Sequence, residues 1–309
     1  MGLITPVALL VFNRPDTTEQ VFAAIRRAQP ETLLVVADGP RLDRIGEADT
    51  CTRVRAIIEQ VDWPCRVLKN YSDVNLGCKG RISSGLDWVF SEVERAIILE
   101  DDCLPHPSFF PFCEKLLEYY RDDERVMMIG GTNFLIETPG LAETYCFSRY
   151  FPIWGWATWR RSWQMYDLDM SEWPRLRNER QIRACYSQPF LWRHLSMTFD
   201  RAHQNRINTW DIQWVYSCLF NNGLCVVPRS NLISNIGFVG THTSGDTSYN
   251  RLPVTSVAAE SIRHPAMVCP DHRFDDAMFR KLMKPTVAGM VRKIYFALRK
   301  RLMRIKRQA

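Results

Sequence analysis

What this chain lacks narrows it first. Its ten cysteines are scattered between Cys51 and Cys269, with no C-x-x-C pair and no zinc-type spacing. That excludes a zinc-ribbon or thioredoxin-like reading and favours reduced core thiols over a disulfide framework. There is no Walker loop and no G-x-G-x-x-G, so neither a P-loop NTPase nor a dinucleotide-binding domain is indicated. No apolar run is long enough to span a bilayer, and the short run from Val7 to Phe12 has no basic n-region or cleavage site. Gly2 follows Met1, but Pro6 stands where a myristoylation signal needs Ser or Thr. A cytoplasmic chain is the expectation.

The body also lacks positive charge, although the formal net charge is +6. Eleven Lys and Arg, and no acid, fall between Arg280 and Arg307, which leaves 29 bases against 34 acids elsewhere. With no basic stripe through the body and no recognised nucleic-acid motif, a nucleic-acid partner is not expected. What is present is ordinary globular material: 309 residues, 46% hydrophobic, enough to bury one large core or two intimate halves.

The most informative stretch is Arg95-Ala96-Ile97-Ile98-Leu99-Glu100-Asp101-Asp102-Cys103-Leu104-Pro105. An apolar run of strand length that ends in three carboxylates and then meets Pro105 and Pro107 reads as a buried strand delivering acids to a sheet edge. Adjacent carboxylates repel, so the arrangement becomes cheap only with a cation or hydrogen-bond donors, and hard oxygen ligands suit Mg²⁺ or Mn²⁺. An acidic solvated loop is the alternative.

Upstream, Pro6 to Phe12 and Thr32 to Ala37 have strand character, and Cys65 to Leu68 reads as a third strand. Helical patterns lie between them, one through Val21, Phe22, Ile25 and Ala28 and one through Val54, Ile57, Ile58 and Val61. Three such units predict an α/β fold with a mostly parallel central sheet flanked by helices, and functional groups at the strands' carboxyl ends. Arg14, Asp38 and Glu100 all follow strands in this way. The segment Tyr71 to Arg81 then enters a helix through Leu86, Val89 and Phe90; its glycines, Lys79 and Arg81 could hold phosphates, or could be a turn with solvated bases.

The order N-R-P after the first strand, A-D-G-P after the second, N-L-G before the fourth and I-I-L-E-D-D-C-L-P through its end resembles the nucleotide-sugar glycosyltransferases of the GT-A fold. The nearest likeness is to the N-acetylglucosaminyltransferase I type and its bacterial relatives. It covers roughly residues 5 to 245, and E-D-D, a version of the D-x-D motif, is its most specific part. The resemblance implies a Rossmann-like GT-A domain in which Arg14 and Asp38 contact the nucleotide, Asp101 the ribose, Glu100 the donor sugar and Asp102 a Mn²⁺ (or Mg²⁺) ion. It divides the chain into a nucleotide-sugar half at 1–125, an acceptor half at 126–275 and a tail at 276–309.

The acceptor half is rich in aromatics. Trp154 and Trp156 of the W-G-W segment are candidate sugar platforms, since indole rings stack on the apolar faces of sugars. Trp159 and Trp163 have the spacing of a buried helix face. Asp211 opens a helical run, where a helix cap is the plain reading; W-D-x-x-W, here with Ile212 and Gln213 between, resembles the family segment that supplies the catalytic base. His242, in a glycine-bearing loop with Gly237 and Gly240, is a candidate for metal or diphosphate, as in similar G-x-x-x-T-H segments of bacterial relatives.

The resulting expectation is a hexosyl- or N-acetylhexosaminyltransferase, Mn²⁺-dependent and inverting, with a nucleoside-diphosphate sugar, UDP-linked, as donor. A sugar nucleotidyltransferase is the catalytic alternative, although no G-x-G-T-R-x-type loop follows the first strand; a non-catalytic, membrane-recruited sugar-binding or scaffold protein is the other. The tail alternates an apolar stripe (Val287, Met290, Val291, Ile294, Leu298) with Lys and Arg, as in a basic amphipathic helix that lies on an anionic membrane. Together these imply a peripheral enzyme on the inner face of the cell membrane, with a glycan or lipid-linked glycan as acceptor.

Overall fold

A computed structural model of the chain describes residues 2–179, 189–237 and 249–282. The first hundred residues build three β-α units and a fourth strand. Strands β1 (Val7–Val11), β2 (Thr32–Ala37), β3 (Arg66–Tyr71) and β4 (Arg95–Glu100) alternate with helices α1 (Pro15–Ala28), α2 (Glu47–Ile58) and α3 (Gly77–Glu92). Pro15 suits the start of α1, where an amide hydrogen would be orphaned anyway, and Val21, Phe22 and Ile25 bury its inner face. Beyond β4 come β5 (Cys103–Pro105), α4 (Phe109–Tyr119), β6 (Val126–Gly130), β7 (Tyr145–Ser148) and β8 (Trp156–Trp159). Short helices α5 (Arg160–Trp163) and α6 (Trp173–Leu176) precede α7 (Pro189–His203) and α8 (Asp211–Phe220). Last are β9 (Leu224–Pro228), β10 (Ile233–Asn235) and α9 (His272–Leu282).

Eight strands form one sheet in the order β3-β2-β1-β4-β8-β6-β9-β7. The pairs β1·β2, β1·β4, β2·β3 and β6·β9 are parallel, whereas β8 runs antiparallel to both β4 and β6, and β7 antiparallel to β9. This is a mostly parallel, Rossmann-like α/β fold. Side-chain alternation divides the interior into two layers. Val7, Leu9, Leu33, Val35, Ile97 and Leu99 face one core with α1, α2 and α4; Ala8, Leu10, Leu34, Val36, Ala96 and Ile98 face another with α3, α8 and α9. Both faces being covered, these strands read as continuous apolar runs.

Several expectations need correction. The third strand runs to Tyr71, beyond Leu68, and is only partly buried because it lies at the sheet edge. Trp159 and Trp163 are buried but share no helix face: Trp156–Trp159 is strand β8, wedged antiparallel between β4 and β6, and helix begins only at Arg160. The nine cysteines among the described residues are free, and Cys269 is exposed rather than in the core. No described helix is long and apolar enough to cross a membrane. Most of the basic tail, 283–309, lies outside the described residues, as does the segment 238–248 that contains His242.

Candidate active site

Because β1, β2 and β4 are parallel neighbours, their carboxyl ends open onto one edge, and the residues that follow them converge there. A cavity of about 360 Å³ at this edge is lined by Arg14, Asp38, Arg41, Cys78, Glu100 and Asn208, among others.

The acid cluster leaves β4 in alternating directions. Glu100 continues the face of Ala96 and Ile98, toward α3 and α8, while Asp101 turns to the opposite side. Asp101 Oδ2 accepts the Phe12 amide at 3.3 Å. Arg14 Nη1 donates to Asp102 Oδ2 at 2.6 Å and reaches Asp101 Oδ1 at 3.4 Å. Burial works to lower the Arg14 pKa, but Asp101, Asp102 and Glu100 together outweigh it and hold the guanidinium above its ordinary value. Burial, then the Asp102 charge, pushes the Asp101 carboxyl upward against the pull of Arg14. Glu100 is raised well above the usual carboxylate range, first by burial and then by Asp102, Asp101 and Asp211. Its Oε1 is buried with no hydrogen-bond partner among the described residues.

This arrangement fits a divalent cation. One guanidinium pairs with two of three adjacent carboxylates, an oxygen of the third is orphaned, and the donor set is all hard oxygen. Among the described residues no three His, Cys, Asp or Glu side chains converge as a metal cage. An ion held by Asp102 would therefore complete its shell with phosphate and water, as Mg²⁺ commonly does. Gly237 closes over the same carboxylate: a Cβ there would lie 2.3 Å from Asp102 Oδ2, so only glycine permits the approach.

The remaining predicted residues divide into those facing the cavity and those serving the scaffold. Asp38 accepts the amides of Gly39, Leu76 and Gly77 at 2.9, 2.9 and 3.1 Å and Asn75 Nδ2 at 3.0 Å, so it clasps the loop before α3. Burial raises its pKa, and those backbone bonds pull the other way. Arg81 lines the cavity, yet its guanidinium is buried and bonds the carbonyls of Ala37 and Asn70 and the Asn70 side chain at 2.7 Å, tying β2 to β3. Lys79 Nζ donates to Asn205 Oδ1 at 2.9 Å, on the flank of the site.

Asp211 is the first residue of α8 and caps nothing with its side chain; the cap position is Trp210. Its carboxylate accepts the Thr209 hydroxyl, and its charge reaches both Glu100 and Cys78 at the cavity. Trp154 is half-buried, edge-on to Phe134 with 5.2 Å between ring centroids. Trp154 lies in the bend before β8 and packs on the face of Leu99 and Ile233, opposite to that of Ile98 and Trp156. Trp156 is no sugar platform: it is fully buried under Trp210, Trp214 and Trp163, because its place on β8 points it into the core beneath α8.

Sequence reasoning missed three contributors. Asn75 completes the Asp38 clasp and bonds the Gly39 carbonyl at 2.8 Å. Asn208 Oδ1 accepts the Lys79 amide at 3.2 Å, joining α3 to the segment before α8. Arg41 pairs with Glu47 while its guanidinium lies 5.5 Å from the Phe12 ring centroid. For Arg41 and Asn208 the only sequence signal was position, just after a strand or beside a helix start, whereas Asn75 opens the N-L-G segment.

No family model matches the chain, and no curated protein matches it. Among solved structures it is similar to a UDP-glucose pyrophosphorylase complexed with UDP-glucose, at 11% identity over 76% of this chain and 94% of that one, TM-score 0.36. It is also similar to mouse xyloside xylosyltransferase 1 in its apo form, at 11% identity, 69% and 81% coverage and TM-score 0.32. A third is 4-diphosphocytidyl-2C-methyl-D-erythritol synthase from Anaerococcus prevotii DSM 20548, at 10% identity, 52% and 75% coverage and TM-score 0.32. At these scores the likenesses add nothing to the sheet order and site geometry.

Proposed function

We propose that this chain is a metal-assisted, inverting glycosyltransferase that moves a sugar from a nucleoside-diphosphate sugar, UDP-linked, to an acceptor hydroxyl. One observation carries the reading: Arg14, Glu100 and Asp101 line one cavity on the carboxyl edge of the sheet, and there Arg14 pairs with both Asp101 and Asp102.

In this reading Arg14 binds the donor diphosphate, Asp101 orients the ribose, and Asp102 and His242 would hold a Mn²⁺ or Mg²⁺ ion. When bound, such an ion neutralises charge that grows on the departing diphosphate. Glu100 accepts a hydroxyl of the donor sugar through its unpartnered oxygen, which restores the hydrogen bond missing there. Trp154 offers an aromatic wall to the sugar. The Asp211 carboxylate takes the acceptor's proton as the acceptor oxygen attacks the anomeric carbon; the glycosidic bond to phosphate breaks on the opposite side, so configuration inverts. The acceptor is a glycan or lipid-linked glycan, and the basic stretch after Met283 attaches the enzyme to the anionic inner face of the membrane.

A panel of UDP-, GDP- and CMP-sugars, assayed for nucleotide release with and without Mn²⁺, tests the reading. Mn²⁺-dependent release of a nucleoside diphosphate from one donor is expected. Consumption of a nucleoside triphosphate with pyrophosphate release would make the chain a nucleotidyltransferase instead, and no turnover of any donor would leave a binding protein.

A further inference from the structure

The cation already present at the acid cluster belongs to the chain. Arg14 Nη1 lies 2.6 Å from Asp102 Oδ2, the same oxygen over which Gly237 packs. Asp102 Oδ1 has the Cys103 thiol at 3.5 Å. A divalent cation needs a carboxylate oxygen at about 2.0–2.2 Å, and Arg14 stands where such an ion would approach. The guanidinium also lines the cavity and keeps 24% of its side-chain surface exposed, so a phosphate entering the cavity meets it directly. Among the described residues its hydrogen bonds are made by Nη1 alone, which leaves the fork able to take a phosphate in bidentate fashion.

We infer that Arg14 is a displaceable counter-cation: it occupies Asp102 while the nucleotide site is empty, moves to the diphosphate when donor binds, and so admits the metal only together with nucleotide. This rests on the nucleotide-sugar reading of the site. The movement needs no change in the main chain. The Arg14 carbonyl, not its side chain, starts α1, accepting the Thr18 amide at 3.0 Å and the Thr18 hydroxyl at 2.6 Å. The charges also balance. One guanidinium leaves a carboxylate for a phosphate, and a divalent ion held by Asp102 would supply the positive charge that it leaves behind. The buried, unpartnered Glu100 Oε1 is independent evidence that Arg14 alone does not satisfy the cluster.

Metal binding to the full chain, followed by the electron paramagnetic resonance signal of free Mn²⁺, tests this without turnover. Wild type is expected to bind Mn²⁺ at least about tenfold more tightly with UDP present than without it, the size of effect that an uncovered carboxylate and a phosphate ligand together supply. Arg14→Gln should bind Mn²⁺ without nucleotide at least about tenfold more tightly than wild type does, since the charge-assisted bond to Asp102 is gone. Adding Asp102→Asn to that variant should abolish the gain. Wild type binding Mn²⁺ equally with and without UDP overturns the inference, and that arm needs no variant to fold. So does an Arg14→Gln chain, or Arg14→Met where Gln does not fold, that binds Mn²⁺ alone no better than wild type. If no form binds Mn²⁺ even with UDP, the metal-assisted reading itself falls; if wild type binds Mn²⁺ with UDP and Arg14→Gln shows no gain, only the role of Arg14 does.

Discussion

Replacing Asp38 with asparagine separates a clasp from a ligand. The carboxylate is buried and holds four donors, two on each oxygen: the Gly39 and Leu76 amides on Oδ1, the Gly77 amide and Asn75 Nδ2 on Oδ2. An asparagine keeps one acceptor oxygen, so whichever way it turns, two donors face an NH₂ group. Leaving a buried donor unsatisfied costs about 1–3 kcal/mol. The relief of not burying a charge, visible in the raised Asp38 pKa, offsets part of that. Asp38→Asn is therefore expected to lose about 2–3 kcal/mol of stability, a net figure for two broken bonds. Urea unfolding reads it as a lower midpoint at an unchanged slope. UDP affinity should fall with it, because the loop that Asp38 holds carries Gly77 and Cys78 into the cavity wall. A variant within about 0.5 kcal/mol of wild type, the ordinary range of a surface change, would refute the clasp. Lost UDP binding at wild-type stability would make Asp38 a direct nucleotide ligand.

Asp211→Asn should keep donor affinity but lower turnover by about 10² to 10⁴, the range for lost general-base assistance; retained turnover in steady-state kinetics, or a product of retained configuration, would contradict the mechanism. Asp275, which accepts the Ser148 hydroxyl at 2.5 Å, has its pKa pushed from 3.8 up to about 6, chiefly by burial. The folded state thus holds that proton more tightly than the unfolded one, so its stabilising contribution is complete below about pH 4 and is lost as pH rises to about 6. Relative to Asp275→Asn, wild type should lose about 2–3 kcal/mol across that window, at roughly 1.4 kcal/mol per unit; urea midpoints that move in parallel would refute it. A chain ending at Met283 should still hydrolyse donor yet no longer sediment with anionic vesicles at physiological salt, and equal sedimentation of both chains would show that the tail does something else.

The carboxyl edge of the sheet was legible because its signal is local. An apolar run that stops at Glu100-Asp101-Asp102 announces both the strand and the place where it ends. Helices α1 and α2 were legible for the same reason, each carrying a periodic apolar face. Trp156 was not. In a sheet covered on both sides, neighbouring strand positions are mostly apolar, so the alternation that separates Trp156 from Ala157 and Trp159 leaves no mark in the sequence. Arg81 looked available for phosphate because its acceptors include the carbonyls of Ala37 and Asn70, and every residue type carries a carbonyl. The antiparallel insertion of β8 between β4 and β6 depends on tertiary pairing that no short window contains.

Calorimetric titration with UDP, with and without Mn²⁺, on wild type and Asp102→Ala tests the central claim most directly. Mn²⁺ is expected to strengthen UDP binding to wild type by at least about tenfold, or 1.4 kcal/mol. The variant should fold yet lose that dependence. Equal Mn²⁺ enhancement in Asp102→Ala, or UDP binding to wild type that ignores Mn²⁺, would contradict the account.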